Sequence, residues 1–142
     1  MDGLIKIIRS HGVTASENLD RLFSELSGHE RTPDTDRINS LIKSGSLALY
    51  LVLDGDSPIG MASVIPCRTA ASDKLWIEDV CILSEWRGRG LARRLMQFAM
   101  SDSQEIFGKG TFWLTSRPSR KAARELYRSL GFVEYETGVF RL

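Results

Sequence analysis

A mixed α/β domain built around one central sheet is the fold class this sequence predicts, on three observations. Period-two apolar runs alternate along the chain with stretches whose apolar residues recur every three or four positions, the signatures of strands and amphipathic helices. The 142 residues, 42% hydrophobic and 26% charged, have the size and make-up of one ordinary globular domain. Glycine, Asp-Gly and Ser-Gly punctuation separates the runs into the order β-α-α-β-β-β-α-β-α-β-β. The expected architecture is a single domain over residues 1–142, with a mixed sheet of six to seven strands flanked by four helices.

Leu4, Ile5, Ile7 and Ile8 mark the first strand. Thr14 or Ser16 then caps a helix carrying Leu19, Leu22, Phe23 and Leu26 on one face, ended by Ser27-Gly28. After the turn-rich GHERTPD, Pro33 suits the first turn of a second helix through Ile38, Leu41 and Ile42, closed by Gly45. LALYLVLDG and PIGMASVIPC form a hairpin around Asp54–Pro58, and after a turn at Ala70–Asp73 a third long strand runs from Lys74 to Leu83. Leu91, Leu95, Phe98 and Ala99 predict a helix over 90–107, stopped by Gly108 and Gly110. TFWLTS reads as a buried strand, and Ala123, Leu126, Tyr127 and Leu130 give the face of a helix ending at Gly131. Phe132–Tyr135 and Val139–Leu142 complete the reading as two strands.

Composition removes several function classes. Nineteen Lys and Arg against eighteen Asp and Glu give a formal charge of +1, without the positive excess of a nucleic-acid backbone binder. No apolar run approaches the roughly 20 residues that span a bilayer, and MDGLIKIIRS is too short and too charged for a signal peptide. A cytoplasmic protein with neither membrane nor nucleic-acid partner is expected. Cys67 and Cys81, with His11 and His29 distant in sequence, make neither a disulfide framework nor a four-ligand zinc site, so no metal is expected. The neutral total conceals opposed patches. Arg87, Arg89, Arg93 and Arg94 fall together, as do Arg117, Arg120, Lys121, Arg124 and Arg128, whereas residues 14–36 carry Glu17, Asp20, Glu25, Glu30, Asp34 and Asp36. A solvated helix face explains such runs as readily as a site does.

The most informative stretch is VCILSEWRGRGLARRLM, a strand running through a glycine-containing turn into a helix. The first residues of a helix present unpaired N–H groups and partial positive charge, and Gly88 and Gly90 let the backbone come close to an anion. The pattern suits a phosphate or pyrophosphate. Arg93 stands where a G-x-G-x-x-G turn has its third glycine, and no Gly-Lys-Ser/Thr follows, which disfavours both a dinucleotide site and a nucleotide hydrolase. A plain helix start, or an RNA-binding arginine-glycine element, would account for RGRG alone. Neither accounts for the second landmark, LTSRPSRKAARELYRSLGF, which joins a strand to a helix with a Leu-Gly-Phe exit.

Together these segments resemble the GNAT superfamily of N-acetyltransferases. Arg87-Gly88-Arg89-Gly90-Leu91-Ala92 looks like its Gln/Arg-x-x-Gly-x-Gly/Ala pyrophosphate loop, and Ala123–Phe132 like its A-x-x-L-Y-x-x-x-G-F element. The order of elements agrees along nearly the whole chain. The resemblance implies acetyl-CoA as cosubstrate and an amine as acceptor. It implies a pyrophosphate held by loop N–H groups with Arg93 nearby, and a pantetheine arm paired with Val80, Cys81 and Ile82. The family often has Asn where this chain has Arg120, which could serve a phosphate instead. Some members pair as homodimers through sheet edges, to which the terminal GVFRL could contribute.

Amine acetylation needs a base for the attacking nitrogen and a proton for the departing thiolate. Glu78 and Asp79 sit in the otherwise apolar LWIEDVCIL, where desolvation raises a carboxyl pKa toward a useful value. Simple alternation puts Glu78 with Trp76, Val80 and Ile82, and Asp79 with Ile77 and Cys81. Resemblance to members with an Ile-Glu-Asp stretch favours Glu78 as base, directly or through water, and leaves Asp79 to cap a backbone group or pair with an arginine. Tyr127 matches the family tyrosine that protonates the leaving thiolate; alone, it would read as a core residue. Cys81 reads as packing. The expected function is acetyl transfer from acetyl-CoA directly to a primary amine of a small molecule or peptide. The competing reading is a non-catalytic acyl-CoA-binding regulatory module of the same fold.

Overall fold

Residues 4–142 are described by the computed structural model. Strand β1 (Ile5–Arg9) is followed by helices α1 (Glu17–Ser27) and α2 (Thr35–Lys43), then β2 (Ala48–Asp54), β3 (Ser57–Arg68) and β4 (Asp73–Ile82). A 3-10 turn at Ser84–Trp86 leads toward α3 (Leu91–Phe107), β5 (Thr111–Trp113) and α4 (Lys121–Ser129). The strands form one sheet in the order β1-β2-β3-β4-β5, antiparallel throughout except for the parallel β4–β5 pair.

Local chemistry accounts for the boundaries. Ser16 caps α1 by accepting from the Leu19 N–H, and Gly28 closes the helix in the left-handed conformation. Asp34 caps α2 through the Arg37 N–H, so Pro33 lies just outside that helix rather than in its first turn as expected. Long central strands bury both faces: Leu49, Tyr50, Val52, Met61, Ala62 and Val64 are all enclosed. On one face α3 covers β1 to β4, where the Tyr50 hydroxyl and Arg9 Nε both donate to Asp102 Oδ2, each at 2.7 Å. Burial and that carboxylate push the Tyr50 pKa above its ordinary value. Against β3 and β4, α1 supplies the buried Leu19 and Leu22.

The fold class matches the expectation, but the strand number does not. Among the described residues five strands form instead of six to seven, because Phe132–Tyr135 and Val139–Leu142 adopt no strand. Apart from Phe132, which packs against the core, their large apolar residues stay outside it: Val133, Tyr135, Val139, Phe140 and Leu142 are all exposed. The neighbouring edge is also too short to template them, since β5 stops at Trp113 rather than running through TFWLTS to Ser116. Beyond Trp113 the chain leaves β4, and the Ser116 carbonyl accepts instead from Arg124 of α4 at 2.9 Å.

Candidate active site

The site is built on the second half of β4. Lys74, Leu75 and Trp76 pair with Thr111, Phe112 and Trp113, after which the two parallel strands part. On the other side β3 stays paired, but its register slips: Met61 faces Cys81 and Ser63 faces Glu78, so three residues of β4 advance against two of β3. This is a β-bulge, with Asp79 in the left-handed region at φ 58, a conformation that Asp tolerates better than most residues. Directly opposed residues share a face, so Cys81 joins Glu78 and Trp76, while Ile82 joins Ile77. The simple alternation expected across Glu78–Ile82 fails for this reason.

The bulge separates the two carboxylates. Glu78 is exposed, and its carboxyl is nonetheless pushed above the ordinary range by partial desolvation and by the adjacent Asp79 charge. Asp79 Oδ2 accepts from the Ser63 hydroxyl at 3.0 Å, which replaces the backbone cap or arginine pair expected of it.

Downstream, Gly88 and Gly90 carry φ values of 77 and 75, and a Cβ at either would project into open space. Left-handed backbone is the reason for glycine at both positions. Gly90 serves as the N-cap of α3 without a side-chain hydrogen bond, and the first turn contains no acid but Arg93 and Arg94. Cations at a helix N-terminus oppose the macrodipole. The turn therefore presents uncapped N–H groups in surroundings that an anion would relieve, as phosphate-binding helix starts do.

Two adjoining cavities meet there. The smaller, about 310 Å³, is lined by Ile82, Arg87, Gly88, Gly90, Leu91 and Arg93 among others. The larger, about 1350 Å³, opens between the parted strands against Val80, Cys81, Ile82, Ala92, Arg120 and Tyr127. Arg87 lines both, and Arg117 and Lys121 add positive charge to the larger one. Tyr127 is buried, packed edge-on against Phe132 at 6.1 Å. Burial raises its pKa, opposed by the positive charge of Arg120 at the start of α4. Burial likewise raises the Cys81 thiol. Glu78 and Arg89 line neither cavity.

The arginines of the loop have partners within the protein. Arg87 Nε donates to the Ile82 carbonyl at 2.9 Å and Nη2 reaches Glu25 Oε1 at 3.4 Å. The guanidinium of Arg89 lies 4.6 Å from the Trp86 ring centre, and Arg93 donates to the Ser129 hydroxyl. Glu25 is the site residue that sequence reasoning missed as an individual. It lines the larger cavity and also accepts from the Ser84 N–H at 3.2 Å, tying α1 to the turn that leads into α3. Nearby, Arg21 pairs with Glu85 at 2.8 Å. Only the excess of acids in residues 14–36 hinted at this arrangement. His11 and His29 are exposed outside the helices and strands. Among the described residues no helix is long and apolar enough to cross a membrane.

Comparison with known proteins bears on this geometry. A family model described as the acetyltransferase (GNAT) family matches residues 14–132. No curated protein sequence matches. Among solved structures, the fold is similar to an aminoglycoside acetyltransferase from an uncultured soil metagenomic sample in complex with sisomicin. That match has a TM-score of 0.78 at 18% identity, over 99% of this chain and 96% of that one. It is also similar to a predicted acetyltransferase from Clostridium acetobutylicum with acetyl-CoA, with a TM-score of 0.71 at 15% identity over 97% and 96% of the two chains. A transcriptional regulator from Bacillus halodurans matches with a TM-score of 0.73 at 22% identity over 97% and 99%. At such identities these likenesses speak for the fold.

Proposed function

Since the chain belongs to the acetyltransferase (GNAT) family, and is an acyltransferase, we propose that it transfers acetyl from acetyl-CoA directly to a primary amine of a small molecule or peptide. The observation that carries this reading is the convergence of the parted β4–β5 cleft, the uncapped start of α3 and Tyr127 on two adjoining cavities that share Ile82, Arg87 and Ala92. The residues present fit the coenzyme. Left-handed Gly88 and Gly90 with open space above them, and the N–H groups of Leu91, Ala92 and Arg93, suit its pyrophosphate. With β5 gone, backbone groups of Val80, Cys81 and Ile82 are left without a strand partner on that side, which suits the amide-bearing pantetheine arm. The cosubstrate supplies an activated acetyl thioester.

The remaining steps belong to the protein. Glu78, directly or through one water, takes the proton from the attacking nitrogen, and its raised pKa makes it a better base than an ordinary surface carboxylate. Backbone N–H groups past the bulge hold the carbonyl oxygen as negative charge grows on it. As the new C–N bond forms and the C–S bond breaks, the Tyr127 hydroxyl gives its proton to the departing sulfur. Arg120 faces the same cavity and favours the negative charge that this leaves behind. Arg87 and Arg89 shape the loop through Ile82, Glu25 and Trp86 more than they offer free charge to phosphate.

Free thiol released on mixing the protein with acetyl-CoA and a panel of polyamines, aminoglycosides and lysine peptides tests the reading. Amine-dependent thiol release, with a matching mass gain of one acetyl on the amine, is the expected result. Absence of release with every class would overturn it. Tyr127→Phe should lower kcat about tenfold or more while leaving acetyl-CoA affinity within about twofold, and an unchanged kcat removes its acid role.

A further inference from the structure

Three aromatic rings and one ammonium gather on the sheet face that carries Glu78. Trp76 of β4 and Trp113 of β5 are cross-strand partners, with ring centroids 5.8 Å apart. Tyr135, from the irregular segment after α4, meets Trp113 edge-on at 4.9 Å. Lys74 precedes Trp76 by two residues on the same face of β4 and places Nζ 4.8 Å from the Trp113 ring centre. Both indoles are only half-buried and Tyr135 is 65% exposed, so the cluster forms a rim and not part of the core. Acids stand next to it along the chain: Glu78 and Asp79 follow on β4, and Glu136 follows Tyr135. Lys74 is the cation lying on the Trp113 ring.

We propose that this cluster is the subsite for a cationic group of the acceptor, and that the Lys74 ammonium is an internal placeholder which the acceptor displaces. The proposal rests on the amine-acetylation reading above. An indole face attracts ammonium through its quadrupole, and Lys74 shows that the Trp113 face does so in this setting. The stem of Lys74 is flexible and its charge can return to water when the ring is taken, so displacing it costs little. Trp76 stands two residues before Glu78, about 7 Å along a strand. An acceptor using both would carry a reacting amine and a second cationic nitrogen at about that separation, which describes a polyamine or a diamino sugar. A neutral monoamine would gain nothing from the rings.

Tetramethylammonium, which cannot be acetylated, probes the subsite apart from catalysis through the tryptophan emission of the full chain. A saturable change is expected in the unaltered protein. Lys74→Met removes the competitor and should tighten the midpoint about threefold; Tyr135→Ala, at an exposed position, should weaken it by a similar factor. Both variants keep all three tryptophans as reporters. The KM for spermidine should follow the same order with kcat little changed. No saturable response, or an unmoved midpoint in Lys74→Met, overturns the proposal even where thiol release succeeds. A saturable response tightened by Lys74→Met, in a protein that releases no thiol with any amine, supports the ammonium site while the transfer reading fails.

Discussion

From Asp73 to Trp76, β4 is held by β3 and, over its last three residues there, by β5 as well; from Ile77 to Ile82 it has β3 alone. The doubly held half alternates regularly, with Leu75 buried and Lys74 and Trp76 turned to the other face. The singly held half contains the bulge, the left-handed Asp79, the raised carboxyl of Glu78 and one wall of the larger cavity. One strand thus serves two purposes. Where backbone groups are satisfied on both sides it builds core, and where one side is left open it gains directed N–H and C=O groups that a ligand can use.

Substitutions on either side of the division should fail differently. The largest effect is expected of Glu78→Gln, which removes the base while keeping shape: turnover at saturating amine should fall about a hundredfold or more, with acetyl-CoA affinity and stability preserved. Full turnover would move the base elsewhere. Leu75→Ala, in the doubly held half, should instead cost about 3 kcal/mol of folding stability in a denaturant titration, with KM for both substrates unchanged in the folded fraction. Loss of coenzyme affinity in that variant would erase the division. The smallest effect is expected of Asp79→Asn, since Asn tolerates the same left-handed backbone. Asp79 raises the Glu78 pKa, and a base works only when deprotonated. Removing that charge lowers the Glu78 pKa and so moves the acidic limb of kcat/KM to lower pH. A limb that stays in place or moves upward would contradict the coupling.

Much of the fold was legible because its signals are local. Ser16 and Gly28 bound α1, Asp54 to Pro58 mark the hairpin, and Gly88 and Gly90 mark an anion-ready turn, each through chemistry confined to a few neighbours. The bulge was not legible, since strand alternation carries no sign of where a partner slips register. Neither was the fate of the last eleven residues. Their apolar pattern fits strands, but strand formation depends on a partner edge, and β5 offers three residues. Glu25 remained one acid among several because its meaning lies in Ser84 and Arg87, about sixty residues away. The loop arginines carried the converse lesson: their clustering suggested free charge, whereas Arg87, Arg89 and Arg93 all have protein partners.

Amide hydrogen exchange, followed residue by residue with and without acetyl-CoA, reads the two halves of β4 apart in the unaltered protein. New protection is expected over Asp79–Ile82 and at Leu91, Ala92 and Arg93, with Lys74–Trp76 unchanged because β4 is flanked there by a strand on each side. Protection appearing equally along both halves of β4, or absent from Asp79–Ile82, would contradict that division.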